Sequence, residues 1–133
     1  MVDASVGFSW VYESQATVET DALLNEIASG GSAVAPSFWF LEMANVLLMA
    51  QRRNRLSAAQ RKAALATLDA LGLTVDEAAP KAAFEKISEL AEKHGLTVYD
   101  AAYLEVALRR KLPLATRDAA LIAAARQSGI KTL

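Results

Sequence analysis

Residues 96–107 read LTVYDAAYLEVA and place Asp100 and Glu105 in a segment that is otherwise mostly apolar. The apolar pattern predicts a helix over residues 97–111 that is buried on most of its surface, with Thr97 as its N-cap. A carboxylate in such a helix is costly to desolvate unless it is paired, hydrogen-bonded or bound to a cation. Asp100 is therefore a candidate functional residue, although an acid in a first helical turn also has a structural explanation. Glu105 is expected on a solvated face.

Short β-like runs alternate with longer helical patterns on both sides of this segment. The strand candidates are residues 1–4, 32–35, 73–75, 113–116 and 129–133. Helices are expected over residues 5–12, 17–28, 37–54, 57–71, 80–94 and 118–128. Parallel strands need crossover helices, so this alternation indicates an α/β sandwich around a parallel sheet. No linker, repeat or low-complexity tract is visible, and residues 1–133 are expected to form a single domain.

The composition excludes several kinds of site. The chain has no cysteine, which removes disulfides, thiolate zinc sites and thiol nucleophiles and fits a reducing compartment. The single histidine, His94, rules out two-histidine acid–base pairs and is expected to be structural. The net charge of −1 gives no global positive field, so a nucleic-acid partner would be held by local patches. Charge-based chemistry must rest on Asp and Glu.

The sequence also argues against a membrane protein. The start, MVDASVGFSW, has no basic residue, which is not typical of a signal peptide. The most apolar stretch, residues 37–50, is interrupted by Glu42 and Asn45 and is short for a membrane span. We expect a soluble, cytoplasmic protein with no membrane contact.

Four acids lie at the end of an expected strand or within the first two turns of an expected helix. They are Asp3, Glu42, Asp100 and Asp118. Sites in parallel sheets form beyond the carboxyl ends of the strands, so these acids are expected to converge. Clustered carboxylates repel one another unless a cation lies among them, and an all-oxygen ligand set favours Mg²⁺ or Mn²⁺. A cation that activates water beside a phosphodiester is the chemistry this arrangement suits.

Four segments together resemble the PIN-domain ribonucleases and, more narrowly, the VapC-type toxins of bacterial toxin–antitoxin pairs. They are VDAS at 2–5, FLEMANVL at 40–47, LTVYDAAYLEVA at 96–107 and PLATRDAAL at 113–121. The resemblance covers essentially the whole chain and keeps the family's order and spacing, apart from a short lead-in before Asp3. It implies a three-layer α/β/α sandwich with a short, mostly parallel sheet of four to five strands.

The resemblance also implies roles for individual residues. The family's acidic quartet corresponds to Asp3, Glu42, Asp100 and Asp118, which would be the catalytic residues and the ligands of Mg²⁺ or Mn²⁺. Supporting polar residues would be Ser5, Asn45, Thr97 and Thr116, with Arg117 facing a substrate phosphate. The implied activity is endonucleolytic cleavage of RNA, often transfer RNA, that leaves a 5′-phosphate and a 3′-hydroxyl. The implied partners are a second copy of the chain and a small cognate antitoxin.

Basic and aromatic clusters support this interpretation only weakly. Basic residues at 52–55 and 109–111 follow long helices, where positive charge suits the helix dipole. Three consecutive aromatic residues at 38–40 cannot all face inward from a helix, which predicts a partner surface that Trp10 and Tyr12 could join.

Other functions fit the sequence less well. A phospho-accepting receiver domain needs paired acids after its first strand, an acceptor after its third and a lysine after its last. Here VDAS holds one acid, Asp76 is a poor acceptor, and Lys131 lies inside the final run. A hydrolase with an aspartyl nucleophile needs a second acid where Ser5 stands. A catalytically silent PIN-fold binding module remains open.

Overall fold

Helices dominate the computed structural model, which describes residues 1–133. The helices are α1 (Ala4–Ser9), α2 (Val18–Ala28), α3 (Phe38–Arg52), α4 (Ala58–Ala70), α5 (Ala79–Ala82), α6 (Ser88–His94), α7 (Val98–Arg110) and α8 (Ala119–Gln127). The strands are β1 (Val34–Pro36) and β2 (Thr74–Asp76). A 3₁₀ turn at Glu13–Gln15 follows α1, and a π-helical turn at Ala83–Ile87 joins α5 to α6. No helix combines the length and the hydropathy that crossing a membrane requires.

Side chains at the N-termini determine where the helices begin. Thr17 and Ser57 each form a capping box with the residue three positions further on. Thr97 caps α7 by accepting a hydrogen bond from the backbone N–H of Asp100, and Asp118 caps α8 through Leu121. The caps predicted at positions 57, 97 and 118 are therefore confirmed, and the helices begin within a residue or two of their expected positions.

The sheet is parallel and very short. β1 and β2 pair in parallel over their three residues. Two further parallel pairs exist only as single bridges, Val2 with Ala115 and Leu114 with Thr132. The backbone N–H of Val2 donates to the carbonyl oxygen of Val34 at 3.0 Å, which connects these bridges to β1. The α/β class with a parallel sheet is confirmed, whereas the expected four to five strands are present as two strands and two bridges.

The missing strand length has a local cause at the start of the chain. Asp3 already serves as the N-cap of α1, which begins at Ala4, so the extended segment ends after Val2. Near position 114, Pro113 has no N–H to offer a neighbouring strand. Both segments can contribute only one or two residues to the pairing.

Helix α7 is the most deeply buried element. Its residues from Ala101 to Ala107 are consecutively buried, as the apolar pattern predicts. The main core includes Leu104 and Val106, while Ala101 and Ala102 belong to a second cluster that packs α7 against α5 and α6. Helix α1 also packs closely on α3. The space at Gly7 is so small that an added Cβ atom would lie 2.5 Å from the Trp39 ring.

Two sequence-based expectations about individual side chains are wrong. Glu105 does not face solvent: only 2% of it is exposed, and Arg109 binds it through Nε at 2.8 Å. Trp10 does not extend the aromatic surface, because it is buried and donates a hydrogen bond from Nε1 to the carbonyl of Thr20 at 2.9 Å. Of the aromatic run, Trp39 is fully buried while Phe40 is exposed.

The arginines at the end of α7 are exposed, and they form ion pairs with two buried acids. Arg109 Nη2 lies 2.7 Å from Oδ1 of Asp76, and Arg110 Nε contacts the other carboxylate oxygen of Asp76. Arg109 also pairs with Glu105. We call Asp76, Glu105, Arg109 and Arg110 the ion-pair cluster. It links β2 to α7, so these arginines do more than complement the helix dipole.

Candidate active site

Asp3 is a buried carboxylate whose partners are all electrically neutral. It lies directly after the Val2 bridge, and 5% of it is exposed. Its Oδ1 accepts hydrogen bonds from Ser5 Oγ at 2.7 Å and from the backbone N–H of Val6 at 3.0 Å. Its Oδ2 accepts from Thr116 Oγ1. Burial raises the pKa of Asp3 although these hydrogen bonds oppose the rise.

The loop at 116–118 is tied to Asp3 through the same two hydroxyls. Thr116 Oγ1 accepts a hydrogen bond from the backbone N–H of Asp118 at 3.0 Å. Ser5 Oγ accepts from the backbone N–H of Arg117 at 2.9 Å. Asp118 is exposed, and its Oδ1 caps α8 by accepting from Leu121 at 2.8 Å. The first and fourth acids are therefore joined by a continuous hydrogen-bond chain.

Glu42 shares its surroundings with two of the other acids. It is half-buried on α3, and its Oε2 accepts a hydrogen bond from the Tyr103 hydroxyl at 2.6 Å. Burial is the main reason why the pKa of Glu42 is raised, and the negative charges of Asp3 and Asp100 raise it further against the Tyr103 hydrogen bond. The pKa of Tyr103 is raised as well, by burial and by Glu42. Glu42 therefore lies within the electrostatic influence of two other carboxylates, Asp3 and Asp100.

Asp100 lies at the start of α7 with Thr97 beside it. Its Oδ2 accepts a hydrogen bond from the Thr97 hydroxyl at 2.6 Å. The backbone N–H of Asp100 donates to the oxygen of that hydroxyl, Thr97 Oγ1, at 3.1 Å. Thr97 therefore holds the helix end and the carboxylate together. Asn45, by contrast, is exposed and makes no hydrogen bond to any of the acids.

Two residues of this site were not singled out from the sequence. Tyr103 lies three positions after Asp100, so the helical repeat places both on one side of α7, and that signal was available. Gln15 could not be found in this way. Arg117, which is exposed, donates from Nη1 to the carbonyl oxygen of Gln15 at 2.8 Å and to its Oε1 at 3.2 Å. That contact joins positions 102 residues apart.

A divalent cation fits the donor set. No three carboxylate or histidine side chains lie close enough to form a ligand cluster by themselves. Mg²⁺ often takes only one or two protein carboxylates and keeps several waters, so a closed cluster is not required. None of the four acids forms an ion pair with Lys or Arg. Oxygen ligands, uncompensated charge and the raised pKa values of Asp3 and Glu42 together suit Mg²⁺ or Mn²⁺.

Comparison with known proteins assigns this fold to a family. A family model described as PIN domain matches residues 1–130. Among solved structures, the crystal structure of PAE2754 from Pyrobaculum aerophilum resembles the chain with a TM-score of 0.71 and 23% sequence identity, over 98% of this chain and 81% of that one. At that identity the likeness concerns the fold alone. No curated protein matches the sequence significantly. Because the family model spans nearly the whole sequence, the chain belongs to the PIN domain family.

Proposed function

We propose that this PIN domain is a metal-dependent endoribonuclease and the toxin of a VapBC-type toxin–antitoxin pair. The observation that carries the proposal is the buried, uncompensated carboxylate of Asp3, which influences Glu42 together with Asp100. Acids with raised pKa values and no cationic partner are typical of functional sites rather than of structural ones. Membership of a family whose domains are commonly nucleases supports the same interpretation.

Each of the four acids has a role in this proposal. Asp3, Glu42, Asp100 and Asp118 would hold Mg²⁺ or Mn²⁺, either directly or through its waters. When bound, the cation supplies Lewis-acid activation of water and stabilises negative charge that develops on a phosphoryl oxygen.

Neighbouring side chains would keep these acids in place. Ser5 and Thr116 orient Asp3, and Tyr103 orients Glu42. Arg117 offers a cation to a substrate phosphate. The product ends would be a 5′-phosphate and a 3′-hydroxyl.

The partners are proposals of the same kind. Phe40 and Leu41 are exposed apolar side chains next to Glu42, with 75% of Leu41 exposed. Exposed apolar groups beside a polar site are typical of a protein-binding surface. We propose that a small cognate antitoxin and a second copy of the chain use this side of the molecule, and that the toxin acts on RNA, including transfer RNA, in the cytoplasm.

The test of the activity is cleavage of a defined RNA set by the purified chain. We expect products with 5′-phosphate ends in Mg²⁺ or Mn²⁺, none in chelator, and none from the Asp3→Asn variant. Asp69→Asn is the matched control, because Asp69 is an exposed acid on α4 without an ion-pair partner. Cleavage by Asp3→Asn at the rate of the unmodified chain would overturn the proposed site, and cleavage in chelator would overturn the metal requirement.

The toxin role needs a separate experiment in cells. We expect growth arrest when the chain is produced without an antitoxin and normal growth when Asp3→Asn is produced at the same level. If both proteins arrest growth equally, the arrest does not come from cleavage at these acids.

A further inference from the structure

An open cavity of about 360 Å³ borders the acidic site. It is lined by Ser5, Phe8, Gln15, Arg117 and Asp118. Ser5 donates a hydrogen bond to Asp3, and Asp118 is itself one of the four acids, so the cavity adjoins the site. Its volume falls within the roughly 300–1,000 Å³ common for small-ligand sites. The lining combines an aromatic ring, an amide, a hydroxyl and both signs of charge.

Arg117 provides the positive charge of this cavity. The contacts of its Nη1 with the carbonyl oxygen and side chain of Gln15 hold the guanidinium over the 3₁₀ turn. No acid pairs with it, unlike Arg109 and Arg110. An oriented guanidinium with free donors suits a phosphate, whose oxygens it can bind in a bidentate manner.

Phe8 provides an aromatic surface on the same cavity. It lies on α1, three residues after Ser5, and its side chain is half-buried. Its ring stacks on Tyr12, with ring centroids 4.9 Å apart and an angle of 26° between the ring planes. This stacking and the packing of α1 on α3 hold the ring in place. A fixed aromatic ring beside a cationic group is the combination that proteins use to bind unpaired bases.

We propose that this cavity is a nucleotide subsite. A base next to the cleaved phosphodiester stacks on Phe8, a backbone phosphate contacts Arg117, and Gln15 is a positioning residue for Arg117. Stacking on Phe8 needs a base whose face is free, so the subsite suits an unpaired nucleotide rather than a base-paired one. This inference rests on the proposed ribonuclease function, because it places the RNA relative to Asp3.

The test is the affinity of the full chain for a short fluorescent single-stranded RNA, measured by anisotropy in Mg²⁺. The Asp100→Asn background prevents turnover during the measurement. We expect Phe8→Leu to weaken binding about tenfold and Phe8→Trp to preserve it, because only an aromatic ring stacks with a base. Phe84→Leu is the matched control, since Phe84 is 96% exposed and lies outside the cavity.

Arg117→Gln tests the phosphate contact independently of the aromatic ring. We expect weaker binding and a salt dependence reduced by roughly 0.7 in the log–log slope, as one phosphate contact is lost. Arg126→Gln, which changes another exposed arginine near the far end of α8, should change neither quantity. Gln15→Ala should weaken RNA binding less than Arg117→Gln does. Because Gln15 lies in an exposed turn, this variant tests the subsite even if Phe8→Leu folds poorly.

The outcomes separate this inference from the proposed function. Affinities of Phe8→Leu and Arg117→Gln equal to that of the background variant would overturn the subsite, as would equally tight binding of a duplex of the same sequence. Cleavage by the unmodified chain would then still support the ribonuclease. If binding depends on Phe8 but the unmodified chain cuts no RNA, the ribonuclease proposal fails, and with it the position of the subsite beside a cleaved phosphodiester, while the cavity remains an RNA-binding site.

Discussion

Two buried acids in this molecule, Asp76 and Asp3, are in opposite electrostatic states. In the ion-pair cluster, burial alone would raise the pKa of Asp76, but hydrogen bonds from Arg109, from the backbone N–H of Ala78 and from Arg110 lower it to about 2. In the candidate active site, Asp3 is almost as deeply buried and also hydrogen-bonded, yet its pKa is raised. Burial acts to raise the pKa of both acids, and their partners differ in charge: Asp76 has two guanidinium groups, whereas Asp3 has only neutral donors.

We interpret this difference as that between a structural acid and the functional acid that we propose Asp3 to be. The chain itself neutralises Asp76, so nothing further is needed for its burial. Asp3 receives three hydrogen bonds but no positive charge, and its own negative charge, together with that of Asp100, raises the pKa of Glu42. A cation from solution would complete the site in the way that the arginines complete the cluster.

The largest effect is expected when an acid of the site is neutralised without disturbing the cluster. Asp100→Asn should lower the rate of RNA cleavage by about 1,000-fold, because on the proposed mechanism it removes a charge that would hold the cation and with it several kcal/mol of transition-state stabilisation. Stability should change by less than about 1 kcal/mol, the scale of an acid in a first helical turn. Initial rates and urea unfolding of the same preparation measure both. An unchanged rate, or a rate lost together with the fold, would contradict the assignment.

The second prediction concerns Mg²⁺ binding. It tests whether a cation neutralises the negative charge of Asp3 as the arginines neutralise that of Asp76. Mg²⁺ at about 100 times its Kd should stabilise the folded chain by about 2.7 kcal/mol if it binds only the native state. The stabilisation should be much smaller in Asp3→Asn and unchanged in Asp76→Asn. Thermal unfolding with Mg²⁺ and with chelator makes the comparison. Equal stabilisation of all three proteins would place the cation elsewhere.

The third prediction concerns a substitution that disrupts the ion-pair cluster and leaves the candidate active site unchanged. Asp76→Asn should lower the free energy of unfolding by about 2 kcal/mol at pH 7, from the fall in the pKa of Asp76 from 3.8 to about 2. Cleavage well below the melting temperature should not change. Urea unfolding measures the loss, with Asp69→Asn as the exposed control, for which a change of no more than about 0.5 kcal/mol is expected.

The pH dependence of that loss provides its own check. A folded-state pKa below the unfolded value means that the contribution of Asp76 is present above about pH 4 and disappears as the pH falls through about 2. The difference in stability between the unmodified chain and Asp76→Asn should therefore shrink over that interval. A difference that stays constant would show that Asp76 acts through shape rather than charge.

The contrast between the two regions also shows what could be predicted from the sequence. The N-caps at positions 57, 97 and 118 are local, and the burial of α7 follows from one apolar segment. The pairs formed by Asp76 join residues 33 and 34 positions apart, and no periodicity connects β2 with the end of α7. The Glu105–Arg109 pair, at a separation of four, was predictable from helical spacing.

Contacts between distant segments were also not predictable for the strands and for the candidate active site. Short apolar runs indicated where extended segments lie, but not that most of them pair through one residue, because that depends on how early α1 begins and on Pro113. The order of acids and strand ends placed Asp3 near Asp118, while the Tyr103–Glu42 contact depends on how α3 packs against α7. Asn45 shares a helix with Glu42, yet its exposure could not be read from the sequence.

The smallest predicted effect concerns a single hydrogen bond within the candidate active site. Tyr103 is the one neutral donor to Glu42, and Tyr103→Phe removes that hydrogen bond. The substitution keeps the aromatic ring, which packs edge-on against Phe38 with ring centroids 5.3 Å apart. We expect kcat/KM to fall about tenfold, the lower end of what loss of a ligand-orienting contact costs. Tyr99→Phe is the matched control, because Tyr99 lies on the same helix, is 67% exposed and bonds to no acid.

The direction of the pH effect distinguishes a positioning role from a packing role. The Tyr103 hydrogen bond opposes the rise in the pKa of Glu42 that burial and the other acids cause, so its removal should raise that pKa further. If ionised Glu42 is the active form, the acid limb of kcat/KM against pH moves to higher pH in Tyr103→Phe and stays in place in Tyr99→Phe. A tenfold loss at every pH with no movement of the limb would mean that Tyr103 only fills space. In that case the Tyr103 hydroxyl would not affect the ionisation of Glu42. The electrostatic difference between the candidate active site and the ion-pair cluster would then depend only on a bound cation.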